Sequence, residues 1–336
     1  MIEMTPDNAL DYLRRSGRIG TGPARVTPLG WGVSNAVFRV ETPDGLFVLK
    51  QSRPQLRTRD LWLSDLNRVY REQEVMELLY PLLPAPTVPA VLFADRPNYV
   101  FAMSHAPLES RVWKESLLAG EVDLSLGERA GRVLGIMHQA TAGGGAVEAF
   151  RDHTVFVQLR VDPFYRRIQE RRPEVAGAVA PLIEQLLSAK EALCHGDYSP
   201  KNVLTHSQGF TLVDYETAHL GDPTMDLGFF LSHLVLKALK CCDERGRYFD
   251  LTRAVWRGYG AEVRFRPVAE LEARGVGHFA VCLLARIDGT SPVDYLPEEA
   301  KREAARRLGR RVLLDRIAGW EDVLSIAEAE FRSMSV

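Results

Sequence analysis

The residues best equipped for chemistry gather in one run, CHGDYSPKNVL at 194–204. Asp197 stands five residues before Asn202, and His195 stands two before Asp197. Asp, Ser, Pro, Lys and Asn all suit a tight loop, so a turn between two apolar flanks would account for them. The same types at the same spacing also suit phosphoryl transfer. That reaction asks a protein for positioning and charge neutralisation, with little covalent work. Asp197 supplies a carboxylate that can orient an attacking hydroxyl and take its proton, with His195 as a second catalytic candidate. A further carboxylate, Asp214, ends the hairpin pattern NVLTHSQGFTLVDY, which Asn202 opens and which turns at Gln208–Gly209. The hairpin brings Asn202 and Asp214 close together. Such oxygen ligands suit Mg²⁺, which keeps several waters and takes one or two carboxylates plus phosphate.

These groups need a scaffold, and the chain reads as two unlike parts. Residues 6–17 have a short helix pattern with Thr5 or Asp7 as cap. ARVTPLG, NAVFRVET and GLFVLKQS are short, alternating and rich in β-branched residues, with a turn at Asp44–Gly45. Residues 67–80 return to helical spacing, with Val69, Val75, Met76 and Leu79 on one side. AVLFAD and YVFAMS are two more strands around a DRPN turn. After Ser104 the pattern is helical: Leu126, Ala130, Val133, Leu134 and Met137 share one face, and helices fill 226–336. The fold class is therefore α+β and bilobal. A β-rich part with one main helix (1–103) precedes a mostly helical part (104–336) that carries the catalytic-loop hairpin. The cleft between them is the default ligand site.

Composition narrows the function classes. At 46% hydrophobic and 26% charged residues the chain is globular in type, and 336 residues allow two lobes. A net charge of −2 gives no field for nucleic acid or an anionic membrane, and no transmembrane run is present. The N-terminus lacks a secretory apolar stretch, so a cytoplasmic protein is expected. Cys194, Cys241, Cys242 and Cys282 have no metal-binding spacing and read as thiols. Oligomeric state is not encoded in any pattern.

HGDYSPKN, followed by VDYETAHLGDPTMDLG, resembles the aminoglycoside phosphotransferase and choline kinase superfamily, over roughly residues 25 to 235. The resemblance implies a protein-kinase-like fold and an enzyme that phosphorylates small-molecule hydroxyls from ATP with Mg²⁺. It implies Asp197 as catalytic base, Asn202 and Asp214 as magnesium ligands, and Asp226 as a brace for the catalytic loop. Lys50 resembles the lysine that holds the α and β phosphates. It would want an acidic partner, and Glu72, on the inward face of the 67–80 helix, is preferred over Glu74. LGWGVSNAVFRV resembles the short G-x-S-N phosphate loop, in which Gly30 and Gly32 permit close backbone approach and Ser34 and Asn35 add donors. Met103 to His105 fall where backbone groups would meet adenine.

The acceptor is less plainly written. Residues 49–72 are similar to the matching stretch of 5-methylthioribose kinases, which suggests a sugar-like alcohol. The chain keeps HGD-x-x-x-x-N and G-D-P-x-x-D, where those kinases depart from the superfamily pattern. An amino alcohol is the other expectation. An aminoglycoside would want an acidic cluster, and residues 236–336 have no acidic run. A choline or ethanolamine kinase would want aromatics such as Trp256, Tyr259 and Tyr295. Glu216, Arg286 and Asp288 are candidates to face the substrate. A non-catalytic nucleotide-binding or regulatory protein on the same fold is the alternative, and the intact set Lys50, Asp197, Asn202 and Asp214 argues against it. HGD for HRD and DYE for DFG disfavour a protein kinase.

Overall fold

The computed structural model describes residues 2–30, 35–55 and 64–332. The chain opens with helix α1 (Pro6–Arg15), and its cap is Thr5. The Thr5 hydroxyl accepts the Asn8 amide at 3.3 Å while the Asn8 side chain accepts the Thr5 amide at 2.9 Å. Ala9, Tyr12 and Leu13 face inward and pack with Phe38, Val40 and Leu49 of the sheet behind.

That sheet has five antiparallel strands in the order β1 (Arg25–Pro28), β2 (Asn35–Thr42), β3 (Gly45–Ser52), β5 (Val100–Ser104) and β4 (Val91–Asp95). Lys50 is paired with Val37 on one side and Phe101 on the other. Helix α2 (Arg68–Leu79) buries Val69, Val75, Met76 and Leu79, the expected face, and Glu72 with them.

Beyond the sheet the chain is helical with two small β elements, one more than its sequence suggested. Strand β6 (Arg111–Val112) adds to the hairpin of β8 (Val203–His206) and β9 (Gly209–Leu212). Strand β7 (Ala192–Cys194) pairs with β10 (His219–Gly221). Both are too short to carry an alternating pattern. The β8–β9 turn is Ser207–Gln208, one residue earlier than the sequence reading, because His206 pairs with Gly209. Gly209 takes the positive φ of 128° that closes the hairpin.

Helices α3 (Trp113–Leu118) and α4 (Leu124–Thr141) follow the connector. A helical run then passes from α5 (Thr154–Phe156) through a wide π-type segment (Val157–Arg166) into α6 (Arg167–Arg171) and on to α7 (Ala176–Ser188). The core closes with α8 (Thr224–Lys240), α9 (Arg245–Glu262), α10 (Val268–Asp288), α11 (Glu299–Leu314) and α12 (Trp320–Phe331). Helix α4 crosses α9 with backbones touching. A Cβ on Gly131 would collide with the Val255 carbonyl, and one on Gly258 with that of Glu128. Among the described residues no helix is long and apolar enough to cross a membrane.

Candidate active site

Lys50 lies near the end of β3 and is buried, 4% exposed as a residue. Its Nζ lies 2.5 Å from Glu72 Oε2 and 2.8 Å from Asp214 Oδ1. Glu74 instead pairs with Arg96 at the surface, at 2.8 Å. Burial works against the Lys50 charge, yet Asp214 and Glu72 hold its pKa above the usual lysine range. Burial pushes Glu72 up to about 7 against the pull of Lys50. The three charges form one chain from α2 through the sheet to the hairpin floor, and each ion is tolerable only because of the next.

The catalytic loop is set by Asp226, in the first turn of α8. Its carboxylate accepts the backbone N–H of His195 at 2.6 Å and of Gly196 at 2.8 Å, and contacts His138 Nε2 at 3.3 Å. Gly196 has φ +73°, and a side chain there would meet the Thr217 carbonyl. The loop therefore has one shape. His195, expected as a catalytic candidate, is fully buried and packs against Tyr215, the rings tilted with centroids 4.7 Å apart. Its Nδ1 accepts the Asp197 amide at 3.2 Å, and burial lowers its pKa. It shapes the loop and has no open face toward an acceptor.

Asp197 presents its carboxylate to two cations. Arg160 Nη2 is 2.6 Å from Oδ1 and Lys201 Nζ is 2.8 Å from Oδ2. Burial favours the neutral acid, but Arg160 and Lys201 outweigh it and hold the pKa below the ordinary carboxylate value. Asn202 Nδ2 donates to both the backbone oxygen and Oδ2 of Asp197, each at 2.9 Å. That fixes the Asn202 amide with its oxygen turned away from Asp197.

Asn202 and Asp214 are joined through the hairpin, since the Val213 N–H donates to the Asn202 carbonyl at 3.0 Å. Asp214 sits at φ +71°, a left-handed conformation that a non-glycine residue adopts at a cost of about 1–3 kcal/mol. Burial again opposes its charge, and Lys50 and Lys201 hold its pKa well below the usual range. One ionised carboxylate and one oriented amide oxygen fit a Mg²⁺ that completes its shell with phosphate and water. Among the described residues no cluster of three or more His, Cys, Asp or Glu could hold a metal ion by itself.

The remaining expected residues are distributed unevenly. Gly30 is exposed just past β1, whereas Gly32 and Ser34 lie outside the described residues. Asn35 opens β2, and its side chain donates to Glu216 Oε2 at 2.8 Å. Glu216 also takes Arg68 Nε at 3.1 Å, so this carboxylate is engaged by groups of the sheet and α2. Met103 is buried in β5, and His105 lines a cavity of about 230 Å³ with Ser104, Ala106, Val88 and Thr211. Arg286 sits in the last turn of α10, its Nη1 on the Ser291 carbonyl at 2.5 Å. Asp288, named as a substrate candidate, is committed elsewhere. Arg172 and Arg306 hold it at 2.5 and 3.0 Å. Helix α10 runs through Asp288, and a non-helical stretch, 289–298, separates it from α11. Tyr259 is buried against His138, and Trp256 packs on Trp320.

Sequence reasoning missed Arg160 and Lys201. Lys201 was visible inside the catalytic loop itself. Arg160 gave no signal, because a π-type turn places it under Asp197 and no helical period foretells that.

A β-rich lobe carrying a buried lysine–glutamate pair, set over a helical region with a braced aspartate loop and a hairpin aspartate, defines the protein-kinase-like phosphotransferases. The chain belongs to the phosphotransferase enzyme family, whose model matches residues 25–259. It is 23% identical over 311 residues to the methylthioribose kinase of Pectobacterium atrosepticum, covering 80% of this chain and 76% of that one. The likeness to such kinases is therefore wider than the local 49–72 stretch. Among solved structures it superposes on the macrolide 2′-phosphotransferase MphH of Brachybacterium faecium with a TM-score of 0.55 at 19% identity, covering 91% of this chain and 98% of that one. The amicoumacin kinase hAmiN, solved with AMP-PNP and Ca²⁺, gives a TM-score of 0.57 at 13% identity, over 98% and 97% of the two chains.

Proposed function

We propose that the protein is an ATP- and Mg²⁺-dependent kinase that phosphorylates a hydroxyl of a small molecule of sugar-alcohol type. Residues 1–103 hold the nucleotide, and 104–336 carry the catalytic loop, the metal ligands and the acceptor. The observation that carries this reading is the convergence of Lys50, Asp214, Asn202 and Asp197 on one cleft, linked pairwise at 2.8–2.9 Å through Lys50–Asp214 and Asn202–Asp197. The methylthioribose kinase relatives favour a sugar-like acceptor, and the AMP-PNP and Ca²⁺ of the amicoumacin kinase favour a nucleotide with a divalent ion.

In this reading Lys50, fixed by Glu72, neutralises the nucleotide phosphates. Asn202 and Asp214 would hold Mg²⁺, which would shield the β- and γ-phosphate charge. Asp197 orients the acceptor hydroxyl. As the acceptor oxygen bonds to the γ-phosphorus, the bond from that phosphorus to the βγ-bridging oxygen breaks and its electron pair leaves with ADP. The hydroxyl proton passes to Asp197. Its depressed pKa makes it a weak base, which suits a loose transition state where the proton moves late. Lys201, between Asp197 and Asp214, faces the phosphoryl group in flight.

The test is coupled ADP release from Mg-ATP with a panel of small alcohols. Asp197→Ala should lower turnover by about 10²–10⁴-fold with Mg-ATP affinity retained. Turnover within a few fold of the parent would remove Asp197 from the reaction.

A further inference from the structure

A second charged constellation lies behind the catalytic loop, and the mechanism above does not use it. Lys237, on α8, is 1% exposed. Its Nζ donates to the His233 carbonyl at 3.2 Å and lies 5.5 Å from the centre of the Tyr295 ring. Lys114, on α3, approaches the same ring at 5.7 Å. Among the described residues no carboxylate pairs with Lys237. Among those residues Lys114 has only Asp294 at 3.7 Å, and that side chain is 85% exposed. Arg286 comes from α10. Its Nη1 is anchored on Ser291, while among the described residues neither its buried Nε nor the buried Tyr295 hydroxyl has a hydrogen-bond partner.

The constellation borders the reacting groups. Arg160, 2.6 Å from Asp197, lies over the Phe229 ring at 5.6 Å, and Phe229 meets the His233 ring at 4.9 Å, one turn before Lys237. The charges of Lys114 and Arg286 act on Lys237, and those of Asp197 and Arg160 act on Arg286. The result is a buried, cation-rich cluster drawn from α3, α8, α10 and the 289–298 loop, with unspent donors. Burying an ammonium without a counter-ion is costly, and placing it beside two like charges is costlier still. A fold keeps such an arrangement where a ligand supplies the missing charge.

We propose that this cluster binds an anionic group of the acceptor, so that the substrate is a hydroxy compound carrying a carboxylate or a phosphate, held by Lys237, Arg286 and Lys114. The inference rests on the kinase reading, whose acceptor class it narrows. A cationic amino alcohol or aminoglycoside is disfavoured beside such a cluster by like-charge repulsion.

The experiment measures binding to the full chain in the presence of saturating Mg-AMP-PNP, so that the nucleotide site is filled. Calorimetric titrations use matched sets: glycerol, glycerate and glycerol 3-phosphate; ribose, ribonate and ribose 5-phosphate; and ethanolamine as the cation. An anionic member should bind at least about tenfold tighter than its neutral parent, and Lys237→Met and Arg286→Gln should each remove about 10- to 100-fold of that affinity. Thermal melting checks the fold of both variants. Carboxylate and phosphate members distinguish the two sources of charge. Neutral or cationic members binding as well as the anions, an absence of anion binding, or anion affinity indifferent to both variants would overturn the proposal. Failure of Mg-AMP-PNP itself to bind would instead overturn the kinase reading.

Discussion

Asp226 accepts the backbone N–H of His195 at 2.6 Å across 31 residues of sequence, and that bond, with its twin to Gly196, gives the catalytic loop its shape. The carboxylate is buried and its pKa is lowered: burial opposes its charge, but His138 and the loop amides outweigh it. Asp226→Leu would strand two buried amides and His138. It should destabilise the protein by about 3–5 kcal/mol, read as a lower urea midpoint, and remove activity with it. Asp226→Asn keeps one acceptor and should lose less. Equal stability for Asp226→Leu and the parent would show that the loop holds itself.

Lys50 and Glu72 separate stability from function. Lys50→Met leaves a buried carboxylate without its partner at 2.5 Å and should cost about 3–5 kcal/mol. Adding Glu72→Met removes the orphaned charge and should restore most of that loss in a melt. On the proposed reading nucleotide affinity should stay low in both, because Lys50 is the cation proposed to face the phosphates. Recovery of Mg-ATP binding in the double variant would mean that Lys50 only holds the fold.

Much of this arrangement was legible in the sequence for local reasons. Asp197, Asn202 and Asp214 lie within one loop and hairpin, so spacing alone brings them together. Glu72 could be chosen over Glu74 because it shares a helical face with Val75, Met76 and Leu79. What escaped was non-local. Lys114, Lys237, Arg286 and Tyr295 come from four separate segments. Lys237 reads as one more lysine near a helix end until the structure buries it. Asp288 was legible as a polar residue near a turn, but its arginine partners come from the end of α6 and from α11. Glycines on α4 were silent too, since periodic analysis counts apolar side chains and not their absence.

Those glycines give a packing test. Gly131 on α4 faces the Val255 carbonyl on α9 so closely that a methyl group has no room. Gly131→Ala raises helix propensity, which by itself would stabilise by up to about 1 kcal/mol. Collision with rigid backbone should win. We expect a net loss of about 1–3 kcal/mol by chemical denaturation, as the helices are forced apart. Gly177→Ala, where nothing lies within 4 Å of the added methyl, is the control and should not destabilise. A stabilising Gly131→Ala would show that the α4–α9 crossing yields easily.

Lys237 makes stability depend on pH in a direction opposite to that of an ordinary paired lysine. Burial, with Lys114 and Arg286 adding to it, lowers its pKa from 10.5 to about 7. Between about pH 7 and 10.5 the unfolded chain therefore binds a proton that the folded chain does not, and stability rises with pH across that window. Below the folded value both states are protonated, and the full cost of burying the charge is present. Lys237→Met removes the cost. Its stability advantage over the parent should be greatest near pH 6 and shrink by on the order of a few kcal/mol by pH 9.5. Subtracting the two proteins' denaturation free energies at each pH cancels every other titrating group. A difference that stays flat from pH 6 to 9.5 would mean that Lys237 keeps its proton throughout. An anion bound at this cluster should stabilise the parent most at the low end of the same range, where the ammonium it pairs with is charged.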